Sequence, residues 1–118
     1  MTNKQSNVPK TELCAGESVV RQGAANLQRG LESVGGRLFL TNQRLLFEAH
    51  KVNVQSEPLH LDIDAIRDVV GGWTKFLGVL PLVPNALVVT VGDGDPVRFT
   101  VYGKAKWIEA IRGSIAAN

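Results

Sequence analysis

Residues 35–50 read GGRLFLTNQRLLFEAH, and this stretch decides the fold. Two apolar runs flank Thr41, Asn42 and Gln43, residue types that turn a chain back on itself, so the stretch reads as a β-hairpin. If the turn is the pair Asn42-Gln43, Leu40 faces Leu45 and Leu38 faces Phe47, and these four form a core face. On the other face Phe39 lies opposite Leu46 and Arg37 opposite Glu48, a mixed surface that is partly exposed or covered by a neighbouring segment.

Working outward, LHLDI at 59–63 alternates strictly, with Leu59, Leu61 and Ile63 inward and His60, Asp62 and Asp64 outward. IRDVVGGW at 66–73 reads as another strand, closed by Gly71-Gly72. ALVVTVGDGDPVRFTV at 86–101 reads as a second hairpin on Asp93-Gly94. That register puts Val88 and Thr90 on one face with Val97, Phe99 and Val101, and points Arg98 and Thr100 outward. Upstream, residues 18–28 read as a strand with a bulge near Gly23, and residues 1–11 as a mobile polar tail.

The last segment changes period. Trp107, Ile108, Ile111 and Ile115 share one helical stripe, with Lys104, Lys106, Glu109 and Arg112 elsewhere. About seven short strands followed by one amphipathic helix imply a sandwich or barrel with the helix closing one end, and Trp107 is the natural anchor for it.

At this point the residues resemble a known family. Gly36, Leu38, Leu40, Thr41, Asn42, Arg44, Leu45, Phe47, Leu59, Asp62 and Ile63 match the signature of the GRAM domain, a variant of the pleckstrin-homology fold. The later hairpin and KAKWIEAI at 104–111 fit the closing elements of such domains, so the resemblance spans roughly residues 12–116. It implies a mainly β, pleckstrin-homology-like seven-stranded two-sheet barrel capped by a C-terminal α-helix, in a free-standing domain of the bacterial type. It also implies a module over 12–118 that binds membrane lipid or protein segments and is not itself an enzyme.

Composition sets the outer limits. The chain has 118 residues, enough for one domain with a real core. Thirteen basic and eleven acidic residues are interleaved for a net charge of +2, which gives no basic stripe for nucleic acid. Cys14 is the one cysteine, so no internal disulfide forms and no oxidising compartment is indicated. The N-terminus lacks the apolar segment of a signal peptide, and no run reaches the ~20 apolar residues of a spanning helix. A cytoplasmic protein, peripheral at the membrane if it meets one, is the resulting expectation.

Chemistry-bearing patterns are sparse. His60, Asp62 and Asp64, with or without His50, match no metal signature, and GDGDP at 92–96 is explained as a turn. No cofactor motif, nucleophile elbow or phosphate loop is present. Arg37, Arg44 and Lys51 form a candidate anion patch around the first hairpin, against the simpler reading that Arg37 pairs with Glu48 and the others are solvated. The sharper candidate is GGWTKFLGVLPLVP at 71–84, the least polar run of the chain, with Lys75 its only charge. Trp73, Lys75, Phe76 and Leu77 have the makeup of an interfacial anchor, and equally of a patch covered by a protein partner or a second copy. Alternatively much of the run is core, with Val79, Leu80 and Leu82 buried.

Overall fold

The computed structural model describes residues 8–29, 32–50, 58–76 and 80–118, with side chains placed for all of these except 73–76 and 80–84. Seven strands come first: β1 (Val19–Arg29), β2 (Glu32–Thr41), β3 (Arg44–Ala49), β4 (Leu59–Asp62), β5 (Ile66–Phe76), β6 (Leu80–Val91) and β7 (Val97–Val101). A 3₁₀ turn at Ile63–Ala65 joins β4 to β5, and helix α1 (Lys104–Ala117) ends the chain. All described pairings are antiparallel, in the order β4-β3-β2-β1-β7-β6-β5. The expected mainly β, pleckstrin-homology-like arrangement of seven strands and a C-terminal helix forms, its strands in a single curled half-barrel sheet. Its two halves are joined into a continuous ladder because β1 is long enough to pair with β2 on one side and β7 on the other.

The two halves share one core. Leu38, Leu40, Leu45 and Phe47 come from the first half, and Val69, Leu87, Val89 and Phe99 from the second, all buried. The Phe47 and Phe99 rings meet across it, centroids 5.8 Å apart and tilted 45°. Helix α1 closes the core with Trp107 and Ile111, flanked by half-buried Ile108 and Ile115, as its stripe implied. Trp107 packs over β1: a Cβ on Gly23 would stand 3.7 Å from the indole Cζ2. The Arg21 guanidinium lies over the same ring, 5.1 Å from its centroid. Gly23 therefore seats the indole rather than marking a bulge. The register shift in β1 falls earlier, between Val19 and Arg21.

The β2–β3 hairpin has the register read from the sequence: Leu40 pairs with Leu45, Phe39 with Leu46, Leu38 with Phe47 and Arg37 with Glu48. Its second face is buried too, Phe39 and Leu46 being shielded from solvent. Arg44, Leu46 and Glu48 alternate along that face of β3, and residues 9–17 run along it. The Glu48 carboxylate accepts the Lys10 and Thr11 backbone N–H groups (3.0 and 2.8 Å) and the Thr11 hydroxyl (2.7 Å). Pro9 is buried. With Glu48 so engaged, Arg37 turns instead to Gln22, donating from Nε (2.9 Å) and Nη2 (2.5 Å) to its side-chain oxygen.

Two expectations are corrected in the second half. The β6–β7 pairing sets Leu87 opposite Phe99, Val89 opposite Val97 and Val88 opposite Arg98, one residue out from the register placed on Asp93-Gly94. The tight turn is Val91–Gly94, closed by the Gly94 N–H on the Val91 carbonyl (3.1 Å), with Gly92 at φ +55°. A one-residue slip exchanges faces, so Leu87 and Val89 enter the core in place of Val88 and Thr90. Nor does Gly71-Gly72 close β5. The strand continues to Phe76, with register shifts at Gly72/Thr74 and Thr74/Lys75.

Candidate functional site

The arginines of the first hairpin are placed by its turn. Thr41 is buried and its hydroxyl accepts the Gln43 and Arg44 backbone N–H groups (3.0 and 2.9 Å) while donating to Glu17 (2.6 Å). Asn42 accepts the Ser18 N–H and donates to the Gly16 carbonyl, each at 2.9 Å. This turn is stapled to residues 14–18, and Arg44 is part of the staple. Its Nε and Nη2 donate to the two Glu17 oxygens (2.8 and 3.1 Å), and Nη2 also reaches the Glu12 carbonyl (3.1 Å). The Glu17 side chain is fully buried.

Burial pushes the Glu17 carboxyl up. Hydrogen bonds from Arg44, Thr41 and the Cys14 N–H, with the charge of Arg44, outweigh it and bring the carboxyl down to about 2. The bond to Glu17 in turn raises Arg44 above its ordinary value. Arg44 thus spends its donors inside the fold, and Arg37 is held by Gln22. Lys51, the third member of the candidate anion patch, lies outside the described residues.

The apolar run at 71–84 has a different setting. The backbone of its described residues, 71–76 and 80–84, is the distal part of the β5–β6 pairing: Gly71 pairs with Leu87, Gly72 with Ala86, Thr74 with Val83, Lys75 with Pro81 and Phe76 with Leu80. β7 pairs with β6 only over Ala86–Val89. Past Ala86 the described ladder therefore narrows to a two-stranded ribbon. Trp73, Lys75 and Phe76 lie on the β5 side of that ribbon by backbone position, and Leu77 lies outside the described residues.

The base of the ribbon carries two cations that the sequence reading left as surface. A Cβ on Gly71 would stand 3.1 Å from Lys104 Nζ and 3.2 Å from its Cε. A Cβ on Gly72 would stand 2.8 Å from Arg98 Nη1. Adjacent residues of a strand point to opposite faces. Lys104, from the first turn of α1, therefore lies against one face of the ribbon base and Arg98, from β7, against the other. The glycine doublet was the available signal, because glycine in a strand often marks a close approach.

Among the described residues no group of three or more His, Cys, Asp or Glu side chains could hold a metal ion. His60, Asp62 and Asp64 are exposed, as is the free thiol of Cys14. No helix among the described residues is long and apolar enough to cross a membrane.

No family model matches the sequence, and no curated protein matches it. Solved structures do. The chain is similar to a structure titled the Vps36 N-terminal PH domain, with TM-score 0.68 and 20% identity over 90% of this chain and 84% of that one. It is also similar to the C-terminal domain of an unknown protein from Leishmania infantum, with TM-score 0.66 and 19% identity over 86% of this chain and 87% of that one. At such identities the likeness shows the fold, which is pleckstrin-homology-like.

Proposed function

We propose that this domain is a non-catalytic binding module of the GRAM type that associates peripherally with membrane lipid at the cytoplasmic face. The observation that carries the reading is the placement of the chain's least polar run on a two-stranded ribbon reaching past β7. Trp73, Phe76 and Leu77 supply aromatic and aliphatic surface suited to the headgroup boundary. Lys75, with Lys104 and Arg98 behind it at the ribbon base, supplies positive charge where anionic headgroups would lie. Arg37 and Arg44 have a smaller part in this reading than their sequence suggested, because both are engaged within the sheet.

A second reading, a protein-interaction or homo-oligomerising module without lipid binding, is favoured by one specific feature. β5 is the last strand of the sheet, and an edge strand beside an apolar surface is a ready site for another chain. Sedimentation with anionic phosphatidylserine vesicles, beside size-exclusion chromatography, separates the two. The lipid reading expects the protein to pellet with vesicles at low salt as a monomer, and Trp73→Ser with Phe76→Ser to leave it in the supernatant. A protein that stays in the supernatant and elutes as a dimer that the same substitutions dissociate would replace the lipid reading with the second.

A further inference from the structure

The outer face of the first hairpin is apolar and covered. Phe39 and Leu46 face each other across β2 and β3, are almost wholly shielded from solvent, and are not part of the cluster that Trp107 closes. An extended segment of the same chain lies along this face. Its residues alternate, with Pro9 buried and Thr11 and Leu13 half-buried, while Lys10 and Glu12 are exposed. Alternation of this kind is how a strand seats one row of side chains on a surface. The tip of the strap is hooked on one side chain: Glu48 accepts the successive Lys10 and Thr11 N–H groups and the Thr11 hydroxyl.

The strap has two parts, and they are held differently. Residues 14–17 form a turn closed by the Glu17 N–H on the Cys14 carbonyl (3.0 Å), with Gly16 at φ +75°, the left-handed position that a type II turn requires. From Ala15 onward the chain is pinned to the hairpin by Gln43, Asn42 and Arg44. Ahead of the turn it rests on Glu48 and on a bond from Arg44 Nη2 to the Glu12 carbonyl (3.1 Å). The tip can therefore swing away at the turn while the Glu17–Arg44 pair stays closed.

What holds the tip is a pattern that other chains can present. Two consecutive backbone N–H groups on a carboxylate can come from any sequence, and the covered face needs only apolar residues at alternate positions. We propose that the outer face of β2–β3 is a docking groove for an extended peptide of a partner protein, and that residues 9–13 are its resident gate. The partner segment would carry apolar residues at alternate positions and a free pair of backbone N–H groups for Glu48. The strap, seated in the groove, shows which chemistry fits there. A tethered segment competes at an effective concentration on the order of millimolar, so a partner enters only when the tip is released. Neither groove nor strap shares a residue with the ribbon read as membrane-facing.

The test opens the gate in the full chain. Thr11→Asp sets a second carboxylate against Glu48, and Thr11→Ala removes one bond without adding charge. Hydrogen exchange at the amides of positions 10 and 11 should speed up by roughly tenfold to hundredfold in Thr11→Asp, and by less in Thr11→Ala. Core amides at Leu38 and Val89 should keep their protection, which separates a released strap from a lost fold. Adding Glu48→Gln to Thr11→Asp should restore the strap's protection, because the repulsion is gone and an amide both donates and accepts. An acetylated and amidated synthetic peptide of residues 8–13 is then titrated against each protein. It should give saturable amide shifts at Phe39, Leu46 and Glu48 in Thr11→Asp, with roughly tenfold or more weaker binding to wild type. Four outcomes would each overturn the assignment. The strap amides exchange only at the rate of the core amides in every variant, or no shift saturates in the opened variants up to roughly 10 mM peptide. The peptide binds wild type as tightly as Thr11→Asp, or the opened variant elutes as a dimer, which would make a second copy's strap the occupant.

Discussion

The two hairpins β2–β3 and β5–β6 are both built from largely apolar sequence and end in different situations. The first has a two-residue turn, a regular register and both faces buried, one against the core and one beneath residues 9–17. Its polar residues are used to fix it, through Thr41, Asn42, Arg44, Glu17 and Glu48. The second sits at the end of the sheet, changes register three times and runs past the strand that would flank it. Charged residues beside an apolar turn look available for ligands in a sequence, yet in the first hairpin they hold the fold. The second hairpin instead carries its described backbone past β7 as a two-stranded ribbon.

The comparison breaks first, and hardest, at Arg44. Its guanidinium and the Glu17 carboxylate are both shielded from water, at 11% and 0% side-chain exposure, so removing one leaves the other charged and buried. Arg44→Met should cost about 3–5 kcal/mol in urea unfolding. Adding Glu17→Gln to that variant should recover a large part of the loss, because the neutral amide can still accept from Thr41 and Cys14. If the double variant is as unstable as the single, the lock works through packing rather than through charge.

The same pair gives the fold an acid limit. The Glu17 carboxyl is lowered from an ordinary 4.5 to about 2, so the folded state favours its ionised form. A lowered carboxyl contributes stability that is complete above pH 4.5 and lost as pH falls through 4.5 toward 2. The difference of 4.5 − 2 amounts to something on the order of 3 kcal/mol across that window. Urea midpoints measured at pH 6, 4 and 3 should fall accordingly for the wild type and more shallowly for Glu17→Gln. Parallel slopes would mean that another carboxylate sets the acid limb.

One glycine in each hairpin sharpens the contrast. A Cβ on Gly36 of β2 would collide with the Glu48 carbonyl oxygen and stand 2.7 Å from Phe47 Cζ and 2.9 Å from Ala49 Cα. Backbone cannot step aside, so Gly36→Ala should cost about 1–3 kcal/mol. On Gly72 of β5 the neighbours are Val88 Cγ2 at 2.6 Å and Arg98 Nη1 at 2.8 Å. The arginine end can swing away and the valine can shift, and the lost chain entropy of glycine is regained, so Gly72→Ala should cost about 0–1 kcal/mol. Equal losses in thermal melts would mean that the base of the ribbon is packed as tightly as the first hairpin.

Much of this architecture was legible because local rules fixed it. The β2–β3 register followed from the turn chemistry of Thr41, Asn42 and Gln43, and the face of α1 from the spacing of Trp107 and Ile111. Where two local solutions were equally apolar the reading slipped. Leu87, Val88 and Val89 are consecutive, so alternation could not say which faced the core, and the choice of glycine at the turn decided it wrongly. The staple on Arg44 was illegible for another reason: Glu17 lies on a segment that precedes β1, and nothing local connects the two. Arg98 and Lys104 were read as surface because only the folded ladder brings β7 and α1 to Gly72 and Gly71. The glycine doublet announced a close approach without naming what approaches.

The smallest expected effect is the one that tests the second hairpin as a functional element. Surface substitutions away from packed contacts generally change stability by no more than about 0.5 kcal/mol. If the ribbon past Ala86 is a surface for lipid or partner, Trp73→Ser with Phe76→Ser should stay near that value in urea unfolding. Removing two large aromatic side chains from a packed core would instead cost about 3–5 kcal/mol each. The two outcomes differ by more than any uncertainty in an unfolding midpoint. A small loss of stability combined with a large loss of vesicle binding would separate the ribbon from the core that β5 and β6 help to build at Val69, Leu87 and Val89. A collapse in stability would make the ribbon a continuation of that core and shift the search for a binding surface elsewhere on the sheet.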